Sequence, residues 1–368
     1  MNLEKIFKLF ESKYFIKVGK TLGKGGFGEV KEIIDKKKNR IYAGKIVKQK
    51  KRTKLSESDS EGNQRDKDNI ILNLKNPNIV KIYQINEEEY NENGKKETYN
   101  LIIMEKSVLK DLKTFIKSLY NQNIDNFINQ PFNDTIGNNL LHYFCLQIIN
   151  GLEYLERNEL IHFDIKPENI LIFLELSLKL SDFGLLKEVS QLDNIRIPGG
   201  TPGYLSPEYY ELKKLKVPID TAKKQDYYAL GVTIFFLKYG KQMIRIKIEK
   251  SDKDDENKAN QEYIVDTIQK KLTFIKSDKL LDKDFIKFLC SLIQISPDDR
   301  PCFEEIYRNK WLNKNLKFLK NVLNAFRYDE PKLLVELRKS DYLIEKKKEI
   351  EKNKKIKKFL FIPKKTET

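Results

Sequence analysis

From Tyr14 to Tyr42 the chain alternates apolar and polar positions (YFIKVGKTLGKGGFGEVKEIIDKKKNRIY) around a glycine-rich turn. A period of two predicts half-buried strands, and Lys38-Asn39 marks a second turn. The polar stretch Lys48 to Lys67 reads as a loop opening into a helix whose apolar face carries Ile70, Ile71 and Leu74, with Pro77 as its stop. Two more strands, Ile79 to Ile85 and Thr98 to Met104, flank an acidic hairpin containing Asn93-Gly94. After Glu105 the pattern turns helical. Leu140 to Glu156 is apolar nearly all round, as in a buried helix. Asn121 to Asn139 and Glu249 to Glu262 read as inserted loops, and residues after about Trp311 as a helical, lysine-rich extension. No internal repeat interrupts this order. Strands first and helices afterwards predict an α+β architecture.

Composition changes the picture little. The 368 residues are 40% hydrophobic, ample for two domains or one bilobal one. Cys145, Cys290 and Cys302 form no CxxC pair, which argues against a disulfide framework or structural zinc and fits a reducing compartment. The longest strongly apolar run, Ala229 to Leu237, is too short to cross a bilayer, so no transmembrane segment is expected. The N-terminus (MNLEKIFKLFESKYF) mixes charges through its apolar residues, unlike a secretory signal; the expected location is the cytoplasm, with the nucleus open. The net charge of +16 invites a nucleic-acid reading, yet +7 of it falls between Arg338 and Thr368. General enrichment in lysine explains the charge as well, and the tail lacks the regular aromatic interleaving of a nucleic-acid surface, so no specific nucleic acid is expected.

Three segments carry candidate chemistry. Gly23-Lys24-Gly25-Gly26-Phe27-Gly28-Glu29-Val30 spaces glycines so that a hairpin can close over polyphosphate, with amide N–H groups toward the anion. Tight turns and dinucleotide sites use the same pattern, but a dinucleotide site needs a helix starting inside it, and Glu29 to Ile34 alternates like a strand. Lys45, in Ala43-Gly44-Lys45, could reach phosphates as a point charge; without the glycine loop it would be an ordinary surface lysine. Ile161-His162-Phe163-Asp164-Ile165-Lys166-Pro167-Glu168-Asn169 and Ser181-Asp182-Phe183-Gly184 then supply a carboxylate, a cation and further oxygen ligands in close sequence.

Together these segments resemble the eukaryotic protein kinases, with Gly200-Thr201-Pro202 to Glu208, Asp226 to Gly231 and Pro297 to Pro301 continuing the likeness over residues 22 to 312. The resemblance implies a bilobal α+β kinase fold, with a small antiparallel β-sheet N-lobe carrying one main helix and a larger, mainly helical C-lobe. The domain boundaries expected are 1–13 for an N-terminal extension, 14–312 for the kinase domain (lobes 14–106 and 107–312), and 313–368 for the tail. The activity implied is transfer of the γ-phosphoryl of Mg²⁺-ATP to protein Ser/Thr hydroxyls, because Asp-x-Lys-x-x-Asn with a downstream Gly-Thr is the Ser/Thr form. By resemblance Asp164 serves the acceptor hydroxyl, Lys166 and Lys45 the phosphates, and Thr201 the link to the substrate loop. Asn169 and Asp182 would hold Mg²⁺. ATP would lie under Leu22, Gly23, Lys24, Gly25, Gly26, Phe27, Gly28, Glu29 and Val30. Val30, Ala43 and Leu171 would sandwich adenine, with Met104 at the back wall and Glu105 and Ser107 at the hinge. Asp226 would brace the catalytic loop, and Arg300 would pair with Glu208.

The pattern departs from the family at two places. Counting back from Pro77 without gaps puts Lys67, not an acid, opposite Lys45; a register slip brings Asp68 or Asp66 there. Phe163 replaces the arginine that usually receives an activation-segment phosphate, and Ser190 is the lone hydroxyl between Gly184 and Gly200. The segment is therefore expected to take its working shape without phosphorylation, packed by Phe163, Ile195 and Ile197. The alternative to an active enzyme is a pseudokinase scaffold, favoured by Lys67. The tail Lys346 to Lys365 reads either as a solvated end or as a segment for an acidic partner, an anionic membrane or a nuclear import receptor.

Overall fold

The computed structural model describes residues 3–25, 28–49, 64–92, 94–121, 138–212, 215–245, 254–279 and 281–314. The chain divides into two compact units, Met1–Ser107 and Val108–Thr368.

The first unit opens with helix α1 (Leu3–Lys13), followed by strands β1 (Ile16–Gly25), β2 (Gly28–Asp35) and β3 (Arg40–Lys48). Helix α2 (Gln64–Asn73) and strands β4 (Ile82–Glu92) and β5 (Lys95–Met104) complete it. The five strands form one antiparallel sheet in the order β1-β2-β3-β5-β4. The acidic hairpin extends the two strands: Glu87 to Glu92 pairs in register with Asn100 to Lys95. Cross-strand ion pairs, such as that between the diagonal neighbours Glu89 and Lys96, make that pairing favourable despite the low strand propensity of glutamate.

Helix α1 is built into this unit. Ile6, Phe7 and Phe10 sit on one helical stripe and pack, fully buried, against Ile16, Ile33, Ile46, Tyr99, Leu101 and Ile103 of the sheet. Polar contacts fix its edges. Lys31 Nζ lies 3.1 Å from Glu4, Lys13 pairs with Glu88, and Glu11 accepts the Val18 N–H at 3.0 Å. Helix α2 approaches from the other face, where Asp68 reaches the side chain of Asn100. Because α2 ends at Asn73, Leu74 is buried just beyond the helix, and β4 starts only at Ile82.

The second unit holds α3 (Leu112–Asn121), α4 (Asn138–Arg157), the short strands β6 (Leu160–Ile161), β7 (Ile170–Ile172), β8 (Leu178–Leu180), β9 (Lys187–Glu188) and β10 (Asn194–Ile195), then α5 (Pro207–Leu212) and β11 (Val217–Pro218). Helices α6 (Ile219–Tyr239), α7 (Asp254–Ser277), α8 (Lys283–Leu292), α9 (Phe303–Arg308) and α10 (Lys310–Lys314) follow. Every residue of α6 from Gln225 to Tyr239 is buried, so the longest apolar run of the chain is a core helix. Among the described residues no helix is long and apolar enough to cross a membrane. One expectation is corrected here: residues 254–262, read as loop, open α7, whose Ile264, Ile268 and Ile275 bury one stripe. The charged residues hide that period from a local reading. Most of the Asn-rich insertion and the tail beyond 314 lie outside the described residues.

Trp311 closes the core at the C-terminal end of this unit, with ring centroids 4.9 Å from Phe285, 5.3 Å from Phe288 and 5.1 Å from His142. The fully buried His142 donates from Nε2 to the Leu312 carbonyl (2.7 Å), and its Nδ1 has no partner among the described residues. Burial holds its pKa below the ordinary 6.5, the Leu312 bond opposing only in part. A histidine whose folded pKa is depressed contributes stability above its unfolded pKa and loses it as pH falls through the folded value. Replacement His142→Gln, which keeps an N–H for Leu312, is therefore expected to make the fall in stability below pH ~6.5 shallower. Denaturant titrations of the two proteins across that range measure it; parallel stability–pH curves would refute it.

Candidate active site

In the second unit the loop between β6 and β7 carries the candidate chemistry. Two backbone N–H groups, those of His162 (2.8 Å) and Phe163 (2.9 Å), donate to the two carboxylate oxygens of Asp226 on α6. Phe163 sits at φ 64°, a conformation costly for a bulky residue, and this double anchor holds it there. Burial pushes the Asp226 carboxyl up, to about 7, against the two N–H donors that favour its anion. His162 is buried and held neutral by desolvation. Its Nε2 donates to the Ser181 carbonyl (3.1 Å), leaving Nδ1 to accept the Asp164 N–H (3.2 Å).

Asp164 is the centre of the arrangement. Its Oδ1 accepts from the Thr201 hydroxyl (2.7 Å) and N–H (3.1 Å), and its Oδ2 accepts from Lys166 Nζ (2.6 Å) and Asn169 Nδ2 (2.8 Å). Lys166 also donates to Thr201 Oγ1. Four donors thus hold one carboxylate that is almost entirely buried. Asn169 Nδ2 bonds the Asp164 carbonyl as well (2.8 Å), leaving the amide oxygen of Asn169 as its remaining acceptor. The antiparallel pairing of Ile170 with Leu180 continues into Ser181, whose N–H and hydroxyl both donate to the Asn169 carbonyl (2.8 and 2.9 Å). Asn169 is thereby tied to the chain next to Asp182, which adopts a left-handed conformation at φ 63°. A carboxylate and an amide oxygen on linked strands are hard donors, suited to Mg²⁺.

The segment from Asp182 to Glu208 is fastened at several points. Strand β9 pairs with β6 and β10 with β11. Phe163 is buried in a cluster with Ile161, Val189, Ile195, Ile197, Val217 and Ala222. A Cβ on Gly200 would come within 2.8 Å of the Phe163 carbonyl oxygen, so glycine is what allows the segment to pass the catalytic loop so closely. Glu208 meets Arg300 in a bidentate pair (2.6 and 2.7 Å), and the remaining N–H groups of Arg300 reach the carbonyls of Gln294, Ile295 and Lys224. All five guanidinium donors are satisfied, as burial of the whole side chain requires. Gln225 was missed in the sequence. It accepts from Ser206 N and Oγ (2.9 and 2.7 Å) and donates to the Tyr204 carbonyl (2.9 Å). Its one signal was a polar residue beside Asp226 at the point where the helix turns apolar.

In the first unit, register alignment puts Gly23, Val30, Lys45 and Ile102 in one row across β1, β2, β3 and β5. Ala43 and Met104 are partners in the adjacent row of that face. Gly28 has φ 140°, and a Cβ there would meet the Ile46 carbonyl oxygen at 2.1 Å, so no other residue fits. Lys24 lies 3.3 Å from Glu29, which also accepts from Thr21 (3.0 Å); Leu22 is half-buried, and Gly26 and Phe27 lie outside the described residues. The Glu105 N–H donates to the Lys81 carbonyl (3.0 Å). Of the two acids considered opposite Lys45, Asp66 is exposed, whereas Asp68 Oδ2 lies 3.4 Å from Asn100. Asn100 pairs with Val47, two residues from Lys45 on the same face of β3.

The chain belongs to the protein kinase domain family, whose model matches residues 16–312. It is 26% identical over 300 residues to a cAMP-dependent protein kinase, catalytic subunit-like, of Caenorhabditis briggsae, covering 80% of this chain and 66% of that one. It is 27% identical over 305 residues to a serine/threonine-protein kinase stk11 homolog of Dictyostelium discoideum, covering 82% and 45%. An Aurora kinase of Saccharomyces cerevisiae is 27% identical over 306 residues, 83% and 71% being covered. The match thus spans about half to two thirds of the length of several of these relatives.

Proposed function

We propose that this protein is an active serine/threonine kinase that transfers the γ-phosphoryl of ATP to hydroxyls of protein substrates. The observation that carries the reading is the set of four donors converging on the Asp164 carboxylate. A carboxylate held this way is pre-positioned to orient an acceptor hydroxyl and take its proton, which phosphoryl transfer needs. Lys166, beside it, offsets charge on the transferred group, and Lys45, supported by Asp68, neutralises the other phosphates. Thr201 couples the substrate-binding segment to Asp164. To ATP we assign, in the first unit, the hairpin from Leu22 to Val30 for the phosphates and Val30, Ala43, Met104, Glu105 and Ser107 for adenine, and, in the second unit, Leu171. Asn169 and Asp182 fit Mg²⁺, which supplies positive charge to the triphosphate when bound. A transfer assay with Mg²⁺-ATP and a generic basic protein tests the proposal. Label well above that given by Asp164→Asn is expected; equal, background label from both would favour the scaffold reading.

The same reading extends to regulation. A phenyl ring cannot receive a phosphate as a guanidinium does, and here Phe163 instead packs on Ile195 and Ile197 of the segment. Burial does the work of the phosphate switch. Phosphatase-treated protein and Ser190→Ala are both expected to retain most of their turnover. A tenfold or larger loss on dephosphorylation, restored by rephosphorylating a residue between Asp182 and Glu208, would overturn this.

A further inference from the structure

Three of the six exposed large hydrophobic side chains of the described residues gather at one end of the first unit's sheet: Phe15 (58% exposed), Ile41 (47%) and Tyr83 (46%). The register places them there. Ile16, Asp35 and Arg40 are successive partners across β1, β2 and β3, and the Lys36 N–H donates to the Phe15 carbonyl. Lys17, Ile34 and Ile41 form the next row of the same three strands. Tyr83 enters from the start of β4, edge-on to Tyr42. Cations frame the two aromatic rings. The ammonium groups of Lys36 and Lys37 lie 5.8 and 5.6 Å from the centre of the Phe15 ring, and that of Lys81 lies 5.1 Å from the Tyr83 ring. Lys17, Lys38 and Arg40 are exposed beside them.

The β2–β3 turn holds these lysines in a fixed presentation. Asp35 Oδ1 accepts the N–H groups of Lys37 (2.8 Å) and Lys38 (3.0 Å), and these bonds lower its pKa. The nearby acids are engaged: Glu32 with Lys106 at 2.6 Å, and Glu105 with the Lys81 N–H at 2.7 Å. Exposed aromatic and aliphatic groups among six cations, on rigid strands, suit the boundary between anionic headgroups and acyl chains.

We infer that this end of the sheet is a docking surface for anionic membranes, with Phe15 and Ile41 entering the interface and Lys17, Lys36, Lys37, Lys38, Arg40 and Lys81 facing the headgroups. The inference is independent of the kinase reading. The test is flotation of the full chain with phosphatidylcholine vesicles, with and without phosphatidylserine. Binding is expected only with phosphatidylserine. The double change Phe15→Ser and Ile41→Ser, which leaves the charge untouched, should weaken it by about tenfold, and Lys36→Ser with Lys37→Ser by a similar factor. Far-ultraviolet circular dichroism like that of the parent protein shows that the variants are folded. Absence of binding by the parent protein would overturn the inference. So would binding that survives the Phe15/Ile41 change, which would assign it to lysine-rich chain elsewhere, or capture of an acidic polypeptide with no vesicle binding.

Discussion

Asp164→Asn is expected to lower phosphoryl transfer by about two to four orders of magnitude while leaving ATP binding nearly unchanged. Two effects combine. The amide cannot take the acceptor's proton, and its NH₂ must face one of two pairs of donors, Thr201 N–H and hydroxyl or Lys166 and Asn169. With the NH₂ turned to Thr201, Lys166 and Asn169 keep their acceptor, and neither effect reaches the residues assigned to adenine. Asp182→Asn should behave differently, weakening Mg²⁺-ATP binding together with turnover, because it removes a hard anionic ligand. Isothermal titration with Mg²⁺-ATP, set beside initial rates, separates the roles. Equal loss of nucleotide affinity in both variants would contradict the assignment.

The largest effect on stability is expected from Glu208→Ala. It leaves Arg300, 1% exposed, without its bidentate partner, and an unpaired buried cation costs about 3–5 kcal/mol. That is a large part of the ~5–15 kcal/mol by which domains are stable. The carbonyls of Gln294, Ile295 and Lys224 still bind the guanidinium, yet none can neutralise it. Denaturant unfolding should show a strongly lowered midpoint with an unchanged slope. A loss below about 1 kcal/mol would mean that water reaches Arg300.

What the sequence disclosed depended on how local each determinant is. The candidate catalytic loop stood out because the residues proposed for it are polar ones at fixed spacing, and Asp164, Lys166, Asn169 and Thr201 meet at one point. Helix α1 was less legible. Ile6, Phe7 and Phe10 show an apolar stripe, but only the sheet reveals what it covers. Helix α7 was hidden by the charges around Ile264 and Ile268. The register of α2 was ambiguous between Lys67, Asp68 and Asp66 because a long polar stretch precedes the helix, and which side chain faces the sheet is a tertiary matter. Phe163 read as a missing arginine; its packing on Ile195 and Ile197 required only apolar residues at the right positions, which were visible in advance.

The central claim is tested most directly by phosphoamino-acid analysis of a degenerate peptide library labelled by the full chain with Mg²⁺ and γ-labelled ATP. The account predicts label on serine and threonine and none on tyrosine, all of it lost in Asp164→Asn. Label on tyrosine, or serine and threonine label undiminished by Asp164→Asn, would contradict it.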